Sequence, residues 1–363
     1  MPVLQLRRTV PFILVLALLV GCSDTQPESP EGSTIQFERM SPHPYIPRVP
    51  GTFYSVLVAN PAVIDFKGET FFFFRGQDES KADQIGVWKS PADQADGIEW
   101  AEQVPYPVIP VSEAEDAPDN SYILDPAVVI NGDSLLVYYT GKSANAATFS
   151  TISLSITTDG DTFTKYAGNP IMEDAIAPEV VFHEGLFYLF YQRLHPERYW
   201  EVYVATSTDG ITFDVANERK VFSPSRQPGT FDAHSVATVR IFKEGEMFYM
   251  TYAGCKQYLD YPEAIGLARS SDLINWETYP HNPIFERGEP GTWDEGALWF
   301  AEVRKIDGRY LMWYEGTGTG LGLIAEPARE ASHSAREDDY GGYRTTSFSQ
   351  MGLATFSGDI TDW

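Results

Sequence analysis

The sequence predicts an all-β protein, a five-bladed β-propeller of four-stranded antiparallel blades whose ring is closed by a strand from the N-terminal end. Three observations carry this. A strand–turn–strand unit recurs five times along the 363 residues. A third strand, ending in a tight polar turn and an aromatic residue, follows most of the copies. The last copy stops where its fourth strand should begin, and matching text stands near the front of the chain.

The units follow in order. Asn60-Pro61-Ala62-Val63-Ile64 leads through Lys67-Gly68 to the aromatic run 71–74. Asp125-Pro126-Ala127-Val128-Val129-Ile130 leads through a polar turn to the apolar run 135–139. Ala177-Pro178-Glu179-Val180-Val181-Phe182 leads through Glu184-Gly185 to 187–191. Residues 237–241 lead through Glu244-Gly245 to 248–252, and Phe300-Ala301-Glu302-Val303-Arg304 through Asp307-Gly308 to 310–314. Short apolar runs bounded by Gly, Pro and Asp read as strands, and the glycines supply the positive φ of tight turns.

The third strands are residues 85–90, 154–158, 204–208 and 267–271. Their turns and aromatics are Gly97-Ile98-Glu99-Trp100, Asp159-Gly160-Asp161-Thr162-Phe163, Asp209-Gly210-Ile211-Thr212-Phe213 and Asp272-Leu273-Ile274-Asn275-Trp276. A fourth segment runs toward a breaker such as Asn169-Pro170 or Asn282-Pro283. Phe37-Glu38-Arg39-Met40-Ser41-Pro42-His43-Pro44-Tyr45-Ile46 echoes residues 276–284, so the front of the chain is expected to supply the outer strand of the last blade. The polar stretch 326–349 breaks the pattern and reads as an insertion on a blade rim, either a lid or a solvated loop.

Ahead of the array the composition changes. Arg7 and Arg8 precede an apolar segment over residues 10–20, too short to span a bilayer comfortably and placed like a signal peptide. It ends in Leu19-Val20-Gly21-Cys22, which resembles the lipobox of bacterial lipoproteins, where the cysteine thiol takes a diacylglycerol. The alternative is an ordinary signal peptide with a chance cysteine. The expected organisation is residues 1–22 as leader and lipidation site, 23–34 as a flexible tether and 35–363 as the propeller, in an exported, membrane-anchored protein. With Cys22 lipidated, Cys255 has no partner in the chain and reads as a buried filler. Zinc-type Cys–His spacing is absent, and neither metal nor cofactor is expected.

A net charge of −25 disfavours nucleic acid and anionic membrane surfaces as partners and suits a neutral ligand. No protein partner is evident. With 43% hydrophobic residues the chain can bury a large core, and the repeat favours one closed array over the two domains that length alone allows.

In a propeller the innermost strands line a central channel. The repeats place Asn60, Asp125, Ala177 and Phe300 at one ring position, and Ala127, Glu179 and Glu302 two residues on, on the same strand face. Asp125, Glu179 and Glu302 are therefore the candidate catalytic carboxylates. Converging carboxylates push their pKa values apart, which suits one for acid and another for base. The bland reading is a carboxylate that binds a channel water or pairs with Arg240 or Arg304. Loops before the inner strands add Asp232, His234, Asp294 and Glu295 as candidate binding groups, although Asp232 and Asp294 could equally cap turns. Trp293, Trp299, Tyr122 and Trp200 offer apolar faces to a sugar ring.

The X-Pro-x-Val strands, the run Gly185-Leu186-Phe187-Tyr188-Leu189-Phe190-Tyr191 and the Ser-x-Asp-Gly and Ser-Ser-Asp-Leu-x-x-Trp turns resemble those of the five-bladed propeller glycosidases. That group comprises glycoside hydrolase families 43 and 32, with the family-130 mannoside phosphorylases as relatives, and the resemblance covers roughly residues 35–363. It implies an Asp before Pro in the first blade, an Asp before Pro in the second and a Glu two residues before Pro in the third. Asp125 matches the second. Asn60 replaces the first, and an amide cannot act as base or nucleophile. Ile176 holds the third, with Glu179 just after Pro178 instead. The familiar three-carboxylate set is therefore not intact.

Three functions follow. The first is a cell-surface glycoside hydrolase with Glu179 as acid, Asp125 as base or pKa modulator and Glu302 as the alternate. The second is a glycoside phosphorylase, for which Arg75, Lys142, Arg193 and Arg240 are the basic residues near inner strands. The third is a non-catalytic glycan-binding propeller, favoured by Asn60 and Ile176.

Overall fold

The computed structural model describes residues 34–144, 150–318 and 349–363. The expected leader with Cys22, the tether as far as residue 33, and the polar insertion apart from Ser349 lie outside the described residues. Among the described residues the chain is nearly all β, with one short 3-10 turn at Val215–Asn217.

Strand β1 (Glu38–Arg39) comes first. Strands β2 (Leu57–Phe66), β3 (Glu69–Gln77) and β4 (Asp83–Pro91) form an antiparallel meander with the short β5 (Glu102–Gln103) on its edge. Strands β6 (Tyr122–Asn131), β7 (Ser134–Lys142) and β8 (Thr151–Thr157) repeat it, and β9 (Thr164–Lys165) and β10 (Met172–Glu173) both pair with β8. A single parallel pair, Asp83 with Tyr122, joins these two meanders into one sheet. The third meander is β11 (Ile176–His183), β12 (Leu186–Leu194), β13 (Trp200–Ser207) and β14 (Arg219–Phe222). The fourth is β15 (Ser235–Glu244), β16 (Met247–Cys255) and β17 (Ala264–Ser270), with β18 (Glu277–Thr278) and β19 (Phe285–Glu286) on β17. The last is β20 (Leu298–Ile306), β21 (Arg309–Gly316) and β22 (Gln350–Phe356).

The first two strands of each meander meet across a two-residue turn, and the turn chemistry explains why. Lys67-Gly68, Glu184-Gly185 and Asp307-Gly308 have positive φ at both positions, the mirror-image turn whose twist matches antiparallel strands. At the end of the third strand a Ser or Thr hydroxyl and an Asp carboxylate collect the loop N–H groups. Ser207 accepts from Gly210 at 3.0 Å, and Asp209 accepts from Ile211 and Thr212 at 2.8 Å. The aromatic that follows does more than cover an edge. Phe213 lies against Tyr138, Trp276 against Phe190 and Phe163 against Phe73, so each cross-links its meander to the preceding one.

The first and last meanders also touch. Arg304 of β20 reaches Asp65 of β2 at 2.6 Å, and Trp313 of β21 donates to the Gly97 carbonyl at 3.2 Å. Strand β1 supplies the outer strand beside β22, pairing Glu38 with Thr355 and Arg39 with Ala354. Ile35, Phe37 and Ile46 of this segment are buried, and such side chains contribute about 1.5–3 kcal/mol each.

Candidate functional site

The innermost strands β2, β6, β11, β15 and β20 each break register at one bulge. The bulged residues are Asn60, Asp125, Ala177, Thr238 and Phe300, all with φ between 37° and 56°. None is glycine, in a region that L-residues rarely enter. The structure adds Thr238 to the ring position read from the repeats. A bulge re-aims a side chain and frees an N–H, and here four of the five freed N–H groups are accepted by the preceding meander. Asp125 donates to Asn60 Oδ1 at 3.4 Å, Ala177 to Thr140 Oγ1 at 2.9 Å, Thr238 to Gln192 Oε1 at 2.9 Å and Phe300 to Thr238 Oγ1 at 3.1 Å.

The residue before each bulge faces Arg75, Thr140, Gln192, Ala253 or Glu315 on the second strand. These five belong to the same ring level. Two of them carry charge. Glu315 accepts from Asn60 Nδ2 at 2.8 Å and from Ser349 Oγ at 2.6 Å, while Arg75 donates to Asp83 at 2.8 Å. Burial pushes the Glu315 carboxyl up to about 7, against the pull of Arg75. Burial also raises Asp125, while Arg75, the Thr140 hydroxyl, Arg240 and the Ala177 N–H pull it down. The bulge ring thus holds two carboxylates of raised pKa around one guanidinium.

Two residues farther along the inner strands stand Glu179, Arg240 and Glu302, with Ala62 and Ala127 in the other two meanders. Arg240 is 1% exposed and its guanidinium ties together all five inner strands. It donates to the carbonyls of Pro61 at 3.1 Å, Pro126 at 2.9 Å and Pro178 at 3.2 Å. It meets Glu179 at 3.3 Å and Glu302 at 3.5 Å, and lies over the Phe300 ring at 4.5 Å. Glu179 also accepts the Ile241 N–H at 3.2 Å. Burial raises both glutamates and Arg240 opposes it. Glu179 and Glu302 do converge, on the Arg240 guanidinium.

The rim residues divide. Asp232 accepts from the Tyr252 hydroxyl at 3.3 Å, and Asp294 from Tyr314 at 2.9 Å and Arg39 at 2.7 Å. Asp119 treats Tyr139 the same way at 2.8 Å. These aspartates accept from buried tyrosines, and Asp232 also lines the cleft beside Trp299. Trp293 is 1% exposed and stacks on Tyr314, with the glycine at 316 leaving room for it, so it offers no face to a ligand. Trp200 is likewise buried. His234 lies with Nε2 3.1 Å from the Arg198 carbonyl, away from the bulge ring's hydrogen bonds. Tyr122 opens β6 half-buried, with Lys142 6.0 Å from its ring.

Asp232, Trp299 and Glu295 line a cleft of about 1430 Å3, whose walls include Tyr261, Glu263 and Arg287. Asn60, Asp125, Glu179 and Glu302 are not among its walls. Glu315 is the functional candidate that the sequence reading missed. Its signal was available in the aromatic-X-Gly ends of the second strands: Phe74-Arg75-Gly76, Tyr139-Thr140-Gly141, Tyr252-Ala253-Gly254 and Tyr314-Glu315-Gly316. Among the described residues no group of three or more His, Cys, Asp or Glu is placed to hold a metal ion.

No protein-family model and no curated protein matches the sequence. Solved structures do match. A β-1,2-mannobiose phosphorylase from Listeria innocua superposes with a TM-score of 0.61 at 14% identity, covering 88% of this chain and 96% of its own. An N-acetylgalactosamine deacetylase from F. plautii, in complex with blood group B trisaccharide, gives 0.62 at 15% identity, covering 88% and 95%. A thermostable family-43 glycoside hydrolase gives 0.56 at 15% identity, covering 71% and 83%. The chain shares the fold of these β-propeller glycosidases and phosphorylases. Their differing chemistries show why fold alone does not assign a reaction.

Proposed function

We propose that the chain is a five-bladed propeller that hydrolyses a glycosidic bond with Asp125 and Glu315. The observation that carries this is the pair of buried carboxylates at one ring level, with Asn60 donating to the Glu315 carboxylate and accepting the Asp125 backbone N–H, and with Arg75 near both. Glu315, pushed up to about 7, carries the proton that a leaving oxygen needs near neutrality. Asp125, held nearer the charged form by Arg75 and Thr140, activates the water. The acid role expected of Glu179 passes to Glu315, because Glu179 is spent on Arg240. A reducing-sugar screen over plant and algal glycans tests this. Release that persists in both Asp125→Asn and Glu315→Gln would remove the pair from the mechanism.

A phosphorylase fits less well. Arg75, Arg193 and Arg240 are each engaged by carboxylates, at 2.8, 2.8 and 3.3 Å. Phosphate-dependent release of a sugar 1-phosphate would decide for it. The second reading is a glycan-binding propeller without turnover. It is favoured by Asn60, an amide that donates to Glu315 where the resemblance expects a carboxylate. Binding of oligosaccharides with no product under any condition would select it.

The ring reading is supported by the contacts between first and last meanders and by β1 beside β22. Deleting residues 35–46 should sharply lower the melting temperature, and an unchanged one contradicts closure. Export and anchoring at Cys22 are part of the same proposal. Labelled palmitate should enter the wild-type protein and not Cys22→Ser.

A further inference from the structure

Two residues beyond the bulges Arg240 lies across the inner strands, hydrogen-bonded to the carbonyls of Pro61, Pro126 and Pro178. A chain of sugars engaged at Asp125 and Glu315 would meet this guanidinium in that direction. The 1430 Å3 cleft has neither Asp125 nor Glu315 in its walls, and it begins at the strand beside Glu315. Trp299, on its inner wall, is the cross-strand partner of Glu315, and Thr317 and Gly318 follow Glu315 by two and three residues. From there the walls continue past Tyr261 to Thr278 and Pro280, on the outer edge of the sheet built on β15. The cleft therefore connects the innermost strand of one meander to the outermost strand of its neighbour.

Resting on the reading of the bulge ring as a carbohydrate site, we propose that this cleft seats the further units of a neutral, multi-unit glycan running from Glu315 to the rim. Its volume exceeds the roughly 300–1,000 Å3 that hold a single drug-sized ligand, so more than one sugar ring has room. The inner wall includes an edge of Trp299, which is 8% exposed and has its indole N–H fixed on Asp260 at 2.8 Å. The charge of the walls selects against anions. Asp232, Glu263, Glu286, Glu289 and Glu295 stand against Lys256 and Arg287, and Arg287 is itself paired with Glu263 at 3.4 Å. Uronic acids or sulfated sugars would meet like charge along the path, whereas hydroxyl-rich neutral units meet acceptors.

Calorimetry on the full-length protein and its Glu315→Gln variant, with neutral xylo-, manno- and arabino-oligosaccharides of two and six units and galacturonate oligomers of the same lengths, tests this. One neutral hexamer should bind about tenfold more tightly than its dimer. Thr278→Trp, an exposed change that narrows the outer end, should bring the hexamer within about threefold of the dimer and leave the dimer unchanged. Glu286→Lys with Glu289→Lys should improve galacturonate hexamer binding. Equal binding of dimer and hexamer, a length preference that survives Thr278→Trp, or a galacturonate hexamer that outcompetes every neutral one overturns the cleft proposal alone. No binding of any of these oligosaccharides to either protein removes the carbohydrate reading, and the cleft proposal with it.

Discussion

Two levels of the inner strands, two residues apart along each, treat charge differently. At the lower level the guanidinium of Arg240 reaches carbonyls on three strands and carboxylates on two, so its charge is used to hold strands together. At the bulge ring, Arg75 is held to one side by Asp83 and is 19% exposed, leaving Asp125 and Glu315 near it without a salt bridge of their own. Converging carboxylates are thus not in themselves a reactive site. What separates the two levels is whether the cation between them is bound to the backbone all round or only at its edge.

The largest effect that tests this contrast is on stability. Arg240→Ala leaves two buried carboxylates unanswered and should cost about 3–5 kcal/mol in urea unfolding. Replacing Glu179, Arg240 and Glu302 together by Gln, Met and Gln should recover much of that. An unchanged midpoint for Arg240→Ala would show that the lower level does not hold the strands. Next comes activity. Glu315→Gln should lower turnover by about 10²–10⁴-fold, while Glu179→Gln should keep turnover and lower stability; the reverse pattern would exchange the roles of the two levels.

The pH dependence is a smaller effect with a definite sign. A carboxyl raised in the folded protein holds more protons there than in the unfolded chain, so stability is full below its ordinary range and falls as pH rises through the folded value. For Glu315 the window runs from 4.5 to about 7, with a loss on the order of 3 kcal/mol. Glu179 and Glu302 act in the same direction. The carboxyls of Asp209 and Asp272, held down to about 2, change stability only at lower pH. Melting temperature should therefore decline between pH 5 and 8, and less so in Glu315→Gln; a rise across that range would contradict the burial of these groups. Smallest is Asp232→Asn, expected to cost about 1 kcal/mol through the Tyr252 hydrogen bond. An unchanged unfolding midpoint would show that this bond contributes nothing.

Much of the scaffold was legible because it is local. Two-residue turns, period-two apolar runs and the Ser-x-Asp-Gly loops state their own conformation, and the echo of residues 276–284 at 37–46 placed β1 beside β22. The convergence of Glu179 and Glu302 was readable from equivalent positions as well. Their partner's reach was not, since nothing in the sequence says that Arg240 finds the carbonyls of Pro61, Pro126 and Pro178. Nor does the sequence say that Asp232 and Asp294 meet the hydroxyls of Tyr252 and Tyr314. Glu315 was passed over because it ends a strand whose aromatic run drew attention away from it.

The five bulges carry Asn, Asp, Ala, Thr and Phe in a backbone conformation that glycine would adopt with less strain. They act as interchangeable sockets, because the scaffold keeps its geometry whatever side chain is mounted there. New chemistry on this frame therefore calls for swapping one mounted group and leaves the strands as they are; Asn60→Asp, which fits a third acid beside Glu315, is the shortest such step.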